Sequence, residues 1–277
     1  MKRLIFIFLF LPSCCLAGSL PQSALVPGGI AKIAVGNASQ PAPKVFYQGR
    51  RILVTSDHSS WLAIVGIPLD AKPGPQKINI EHPEGTSLVN FTITHKQYPE
   101  QRMRIRRKRL VNEMNAQDLA RIKDEKEQVR KIKDVWSDRP ADVSFCAPVI
   151  GRWSSLFGLR RFLNNQPRGM HRGLDIAAKT DTAVLAPASG FVIGTGDYFF
   201  SGQTVFLDHG QGLLTAYMHL NEIAVRLGQT VLQGERLGTV GATGRATGPH
   251  LHWNVYLNQE AVDPTLFLPK GFPACHP

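Results

Sequence analysis

The sequence predicts a mainly β protein in two parts joined by a helical linker. Three observations carry that prediction. Among 277 residues, 25 glycines and 19 prolines mark many turns, and short apolar runs between turn formers read as strands. Such runs recur before residue 98 and again after residue 139. Between those points glycine disappears, charges crowd in and apolar residues return at helical spacing. A hydrophobic fraction of 43% supports cores in both parts, and the length suits two domains.

The first segment, MKRLIFIFLFLPSCCLAGS, has a basic start, an apolar run and then small residues. This is the pattern of a signal peptide over residues 1–17, and it implies export to the periplasm or cell envelope. The run Leu4–Leu11 is too short to serve as a membrane anchor. Cleavage after Ala17 is the preferred reading. Lipoprotein processing at Cys14 is the alternative, with Pro12 out of place in such a motif.

Residues 18–98 read as a small β-sandwich-like domain. Its expected strands are Ile30–Val35, Val45–Tyr47, Ile52–Thr55, Trp61–Val65, Lys77–Ile80 and Leu88–Thr94, separated by turn formers such as Gln48-Gly49. Asp57, His58 and His82 fall in turns or before a proline and read as surface residues. With no catalytic constellation of its own, this domain is expected to position the protein, bind substrate or cover a site.

Residues 99–138 read as a basic helical linker, with Leu119, Ile122, Val129, Ile132 and Val135 or Trp136 forming one apolar stripe and Arg139-Pro140 ending it. The formal charge of +11 is concentrated at Arg102–Arg109. That cluster fits attraction to an anionic envelope surface. It equally fits a solvated helix face balanced by Asp118, Asp124, Glu125 and Glu127. Nucleic-acid binding fits the charge but not export.

Residues 139–277 are β-rich again, with expected strands at Leu174–Ala177, Val184–Leu185, Phe191–Gly196, Thr204–Leu207, Leu213–His219, Arg236–Val240 and Leu251–Leu257. Gly210-Gln211-Gly212 reads as a hairpin turn, with His209 belonging to it. Cys146 and Cys275 flank this part, and in an oxidising compartment they read as a disulfide that ties its ends. The run Gly241–Gly248 lacks the Gly-Lys-Ser/Thr ending of a phosphate loop and reads as a flexible loop beside a cleft.

Chemistry concentrates in two short segments of this last part. His171 and Asp175 sit in MHRGLDIA, and His250 and His252 in TGPHLHWNV. Together they offer three metal ligands and a spare imidazole, which is what a hydrolytic zinc site needs, because catalytic zinc keeps three protein ligands and an open position. Residues i and i+2 on a strand share a face, so His250 and His252 point one way and Leu251 the other. Trp253 then falls on the opposite layer and Tyr256 on the face of His252.

These segments, with AYMHL around His219, resemble the three signatures of the LytM/lysostaphin-type zinc metallopeptidases, in the same order, over Pro148 to Pro264. The resemblance implies an antiparallel β metallopeptidase domain with an open groove, one zinc per chain, and hydrolysis of peptide cross-links in bacterial peptidoglycan. It implies that His171, Asp175 and His252 bind zinc, that His250 is the catalytic base, and that His219 orients water or stabilises the oxyanion. Two positions depart from the family pattern. Trp253-Asn254 replaces the frequent Phe-Glu, and Phe162 lies in a stretch with no tyrosine between Trp153 and His171. Two other functions remain open: a catalytically silent wall-binding or activator protein on the same fold, and a bacteriolysin cutting glycine-rich peptides.

Overall fold

The computed structural model describes residues 20–82, 85–104, 113–271 and 273–276. The expected signal peptide, and all of the Arg102–Arg109 cluster beyond Arg104, lie outside these residues.

The alternating runs of the first part become six strands: β1 (Ile30–Asn37), β2 (Lys44–Tyr47), β3 (Arg50–Ser56), β4 (Ser60–Gly66), β5 (Gly74–His82) and β6 (Gly85–Ile93). They pair in the order β1-β4-β3-β2-β5-β6, antiparallel throughout. Every strand contributes to one buried cluster, including Val35, Tyr47, Ile52, Val65, Ile80 and Phe91. The alternation seen in the sequence therefore wraps a single sheet around its own core, closer to an open barrel than to two stacked sheets.

The linker is only partly helical. Glu100–Met103 is a strand, β7, and the helix, α1, is confined to Ala116–Lys133. Asn115 caps α1: its side-chain oxygen accepts the Asp118 N–H at 2.8 Å, and the Asp118 carboxylate accepts the Asn115 N–H at 3.3 Å. The helix stops at Lys133 with Asp134 as its cap, ahead of the expected end at Arg139-Pro140. Ile122 is buried, and Val129 and Ile132 pack beside Phe206, Ala216 and Tyr256, whereas Leu119 is 55% exposed and lies off the stripe. Glu125 accepts the Phe199 N–H, and Arg121 donates to the Asp197 carbonyl. These bonds dock α1 on the sheet that follows.

The second part is built from β8 (Arg152–Ser155), β9 (Arg160–Leu163), β10 (Gln166–Met170), β11 (Leu174–Ala177), β12 (Ala183–Leu185), β13 (Gly190–Tyr198), β14 (Gly202–Asp208), β15 (Leu214–Ile223), β16 (Thr230–Val231), β17 (Arg236–Val240), β18 (His250–Leu257) and β19 (Glu260–Val262). Its spine runs β16-β13-β14-β15-β18-β11-β8, and β10, β9 and β7 form a separate small sheet in which β7 joins β9 in parallel. Leu251, Trp253, Val255 and Leu257 of β18 enter the main core, and Tyr256 enters the cluster under α1 on the other face. The turn histidine His209 is buried beside Phe145 of the main core, between the Ser189 carbonyl and the Thr215 hydroxyl.

The first part packs against the second through β4. Ile30, Leu53 and Ile64 share the main core with Trp253 and Leu257. Asn258 and the Gly66 backbone exchange two hydrogen bonds, of 2.7 and 3.0 Å. Cys146 and Cys275 are bonded across a sequence separation of 129 residues. The Cys275 N–H also donates to the Ala147 carbonyl, so the chain end is stitched beside the start of this part.

Candidate metal centre

Strand register assembles the site. β11 and β18 pair antiparallel with Asp175 opposite His252 and Ala177 opposite His250. Directly opposed residues hold their Cβ atoms about 5 Å apart, so the Asp175 carboxylate and the His252 ring meet, with Oδ1 2.6 Å from Nδ1. His171 enters from the segment before β11, its Nε2 3.0 Å from Asp175 Oδ1 and 3.0 Å from His252 Nδ1. The Nδ1 of His171 lies 2.7 Å from the Leu156 carbonyl oxygen, to which it donates. That bond fixes the tautomer and leaves the Nε2 lone pair facing the other two donors.

This donor set fits zinc. Two imidazoles and one carboxylate converge, and tetrahedral bonds of 2.0–2.2 Å require donor atoms about 3.3 Å apart. His171, Asp175 and His252 are the group with metal-ligand geometry among the described residues. Gly173 makes room for it: a Cβ there would lie 2.7 Å from His252 Nε2 and 2.6 Å from the Trp253 carbonyl oxygen. Gly173→Ala is therefore expected to displace the His252 ring and weaken metal binding by about 10–100-fold. Competition titration against a chelator measures it, and an unchanged affinity would show that the ring has space to spare.

The two remaining histidines face the same cavity with a different arrangement. His250 donates from Nδ1 to the Gly248 carbonyl at 2.8 Å, and its Nε2 is 3.9 Å from Asp175 Oδ1. His219 donates from Nδ1 to the Thr243 carbonyl at 2.8 Å, with its ring centroid 4.8 Å from that of His250. Each therefore keeps Nε2 as an acceptor. His219 does not end its strand, as β15 runs on to Ile223. It occupies a bulge: Gln203 and Val205 on β14 pair with Leu220 and Tyr217, so an extra residue is accommodated on β15, and His219 takes φ 62°. Bulges re-aim side chains in this way, and a left-handed non-glycine residue marks backbone strain held by its surroundings.

Burial sets the charge state of the rings. It pushes the His171 imidazole down to about 4 and the His219 imidazole to about 3, and it lowers His250 and the core residue His209 as well. For Asp175 burial opposes ionisation, but the adjoining His171 and His252 rings outweigh it and hold the carboxyl far below its ordinary range. Below pH 6.5 the unfolded chain, with ordinary imidazoles, thus binds more protons than the folded one. Stability is full above about 6.5 and falls toward pH 4, by about 1.4 kcal/mol per pH unit for each such ring. Melting of metal-free protein should occur at a lower temperature at pH 5 than at pH 7.5. Equal values would mean that these rings titrate freely in the folded state.

Several neighbours carry no sequence signal. Arg161 pairs with Asp175 Oδ2 at 2.5 Å, on the side away from the histidines. Asn254 donates to the Arg172 carbonyl at 2.9 Å, which ties the His171 segment to β18. Phe162 lies under the Arg102 guanidinium. The Gly241–Gly248 loop is pinned rather than loose. Thr243 Oγ1 accepts the Gln203 N–H, and Arg245 N–H donates to the Phe200 carbonyl. A Cβ on Gly244 would come within 2.4 Å of the Gly202 nitrogen, so close approach is what glycine supplies there. The cavity over the site, about 310 Å³, is lined by these histidines, by Met103 of β7 and by arginines, and by no described residue of β1–β6.

Comparison with known proteins agrees with this arrangement. The profile of peptidase family M23 matches residues 169–264, and that of the M23 N-terminal domain matches residues 23–96. A solved M23 peptidase structure from Pseudomonas aeruginosa is 40% identical, covers 88% of this chain and 95% of its own, and superposes with a TM-score of 0.74. Peptidoglycan DD-endopeptidase ShyA of Vibrio cholerae is 38% identical over 42% of this chain and 28% of its own length. A metalloprotease of Haemophilus influenzae is 44% identical over 36% of this chain and 21% of its own length. The matched segment thus spans about a quarter of each of these two curated relatives.

Proposed function

This chain belongs to peptidase family M23, and we propose that it is a zinc-dependent endopeptidase that hydrolyses peptide cross-links of bacterial peptidoglycan outside the cytoplasm. The observation that carries the reading is the convergence of His171, Asp175 and His252 on one point, with two further imidazoles beside it. A silent wall-binding protein has no need of a complete donor set. The name of the Vibrio cholerae relative supports the substrate class. No helix among the described residues is long and apolar enough to cross a membrane.

In this reading His171, Asp175 and His252 would hold one zinc ion. When bound there, the metal supplies a Lewis acid and brings the pKa of water to about 7. His250, neutral and with Nε2 as acceptor, takes the proton of the attacking water as general base. His219 is also a neutral acceptor through Nε2. It orients that water and has no proton to offer an oxyanion. Arg161 positions Asp175 by holding its second oxygen. The six-stranded part, residues 18–98, and the linker, residues 99–138, act as a scaffold that places β7 at the cavity edge; recruitment to an anionic surface through Arg102–Arg109 is a further role for the linker. The test is lysis of isolated sacculi: activity should vanish with chelator and return with zinc. Undiminished lysis in chelator would refute the metal's role.

A further inference from the structure

A second layer of polar groups stands behind the metal ligands, and one of its members comes from the linker. Strand register brings it there. Ser155 of β8 pairs with Asp175 of β11, and Gln101 of β7 pairs with Arg161 of β9. The Arg161 guanidinium bridges the two pairs. Its Nη2 donates to Asp175 Oδ2 at 2.5 Å and to Ser155 Oγ at 3.0 Å, and its Nε donates to Gln101 Oε1 at 3.2 Å. The Ser155 hydroxyl donates to the same Gln101 oxygen at 2.9 Å. Ser155 Oγ is thereby left as an acceptor toward His171 Nδ1, 3.3 Å away. Ser155, His171 and Asp175 are all buried, so a misdirected hydrogen bond among them is costly.

The direction of the Ser155 hydroxyl bears on the His171 tautomer. A hydroxyl donating to Nδ1 would require the ring proton on Nε2, which could then not bind a metal. Gln101 Oε1 takes the hydroxyl hydrogen instead, and so supports the bond from His171 Nδ1 to the Leu156 carbonyl. One amide oxygen thus orients groups behind two of the three ligands.

We propose that Gln101 is a positioning residue for the metal centre, acting on Asp175 through Arg161 and on His171 through Ser155. It makes the linker strand part of the site without itself being a ligand. This inference rests on the metal reading above and goes beyond it, because it ties zinc affinity to a residue outside both matched family segments.

The experiment measures the zinc affinity of the full chain by chelator competition, with the visible spectrum of the cobalt-loaded protein as a report of ligand geometry. Gln101→Leu keeps the bulk and removes the acceptor. It should weaken zinc binding about tenfold or more, the effect of losing a partner behind a ligand, and change the cobalt spectrum. Gln101→Glu keeps an oxygen at the same reach and should recover most of the affinity. Gln101→Asn is one methylene short and should lose affinity as Gln101→Leu does, with less disturbance of the strand; it answers the question if the leucine variant does not fold. Wild-type affinity and spectrum in either folded variant would overturn the inference and leave the metal reading standing. So would equal losses in Gln101→Glu and Gln101→Leu, which would mean that any change at this position disturbs the strand. A wild-type protein that binds no zinc would overturn both.

Discussion

His171→Ala and Asp175→Ala are each expected to yield folded protein without tightly bound zinc and without hydrolysis. Either change leaves two donors where a catalytic zinc uses three. Asp175→Ala carries a second penalty, because Arg161, now paired with Asp175 Oδ2, would face the imidazole lone pairs with its charge unmatched. His250→Ala is expected to differ. Its Nε2 lies 3.9 Å from Asp175 Oδ1, outside the 2.6–3.0 Å cluster of His171, Asp175 and His252. That variant should keep its zinc and lose about 10²–10⁴-fold in turnover, the worth of a positioned general base. Metal analysis of the purified variants beside their rates separates the roles. A zinc-free His250→Ala protein with a zinc-loaded His252→Ala protein would mean that the ligand and the base are exchanged.

Opening the Cys146–Cys275 bond should be the largest change in stability away from the site. The bond closes a loop spanning 129 residues, for which chain entropy in the unfolded state gives about 4–5 kcal/mol. The segment it secures is part of the core: Val143, Phe145, Ala147 and Val149 are all buried, and the Phe145 ring stacks on Phe267 at 4.8 Å. For a chain of this size the double Cys→Ser variant should melt roughly 10–20 °C lower. Its zinc content at low temperature should be unchanged, since neither cysteine touches the histidines. An equal melting temperature would show that packing alone secures the ends.

Much of this architecture was legible because burial follows alternation. The six runs between Ile30 and Thr94, and the strand Leu174–Ala177, are apolar on the face that meets a core, and they fold where the pattern puts them. The alternation of His250 and His252 around Leu251 likewise survives intact. What was hidden depends on partners distant in sequence. β7 and β9, rich in arginine and polar residues, have weak strand character of their own, and β10 contains Pro167 and Gly169. They become strands by pairing with one another, an override of local preference by tertiary context. The same holds for Arg161, whose role exists only because β9 faces β11, and for His219, whose direction is set by a bulge against β14. The glycine loop was misread for a related reason, as sequence reports conformational freedom but not the neighbour that requires it.

Position also bears on the first part of the chain. A module able to fold back could have covered the groove, but β1–β6 dock through Gly66 on the Asn258 turn and contribute nothing to the cavity wall. Among the described residues, only Met103, from the linker strand, reaches it from that side.

The most direct measurement is mass spectrometry of the fragments formed when zinc-loaded protein digests isolated sacculi. Cross-linked dimers should be converted to stem-peptide monomers with the glycan strands intact, each cut leaving a new amine and a new carboxylate at the cross-link. Persistence of the dimers with folded, metal-loaded protein, or the same fragments from His171→Ala, would contradict it.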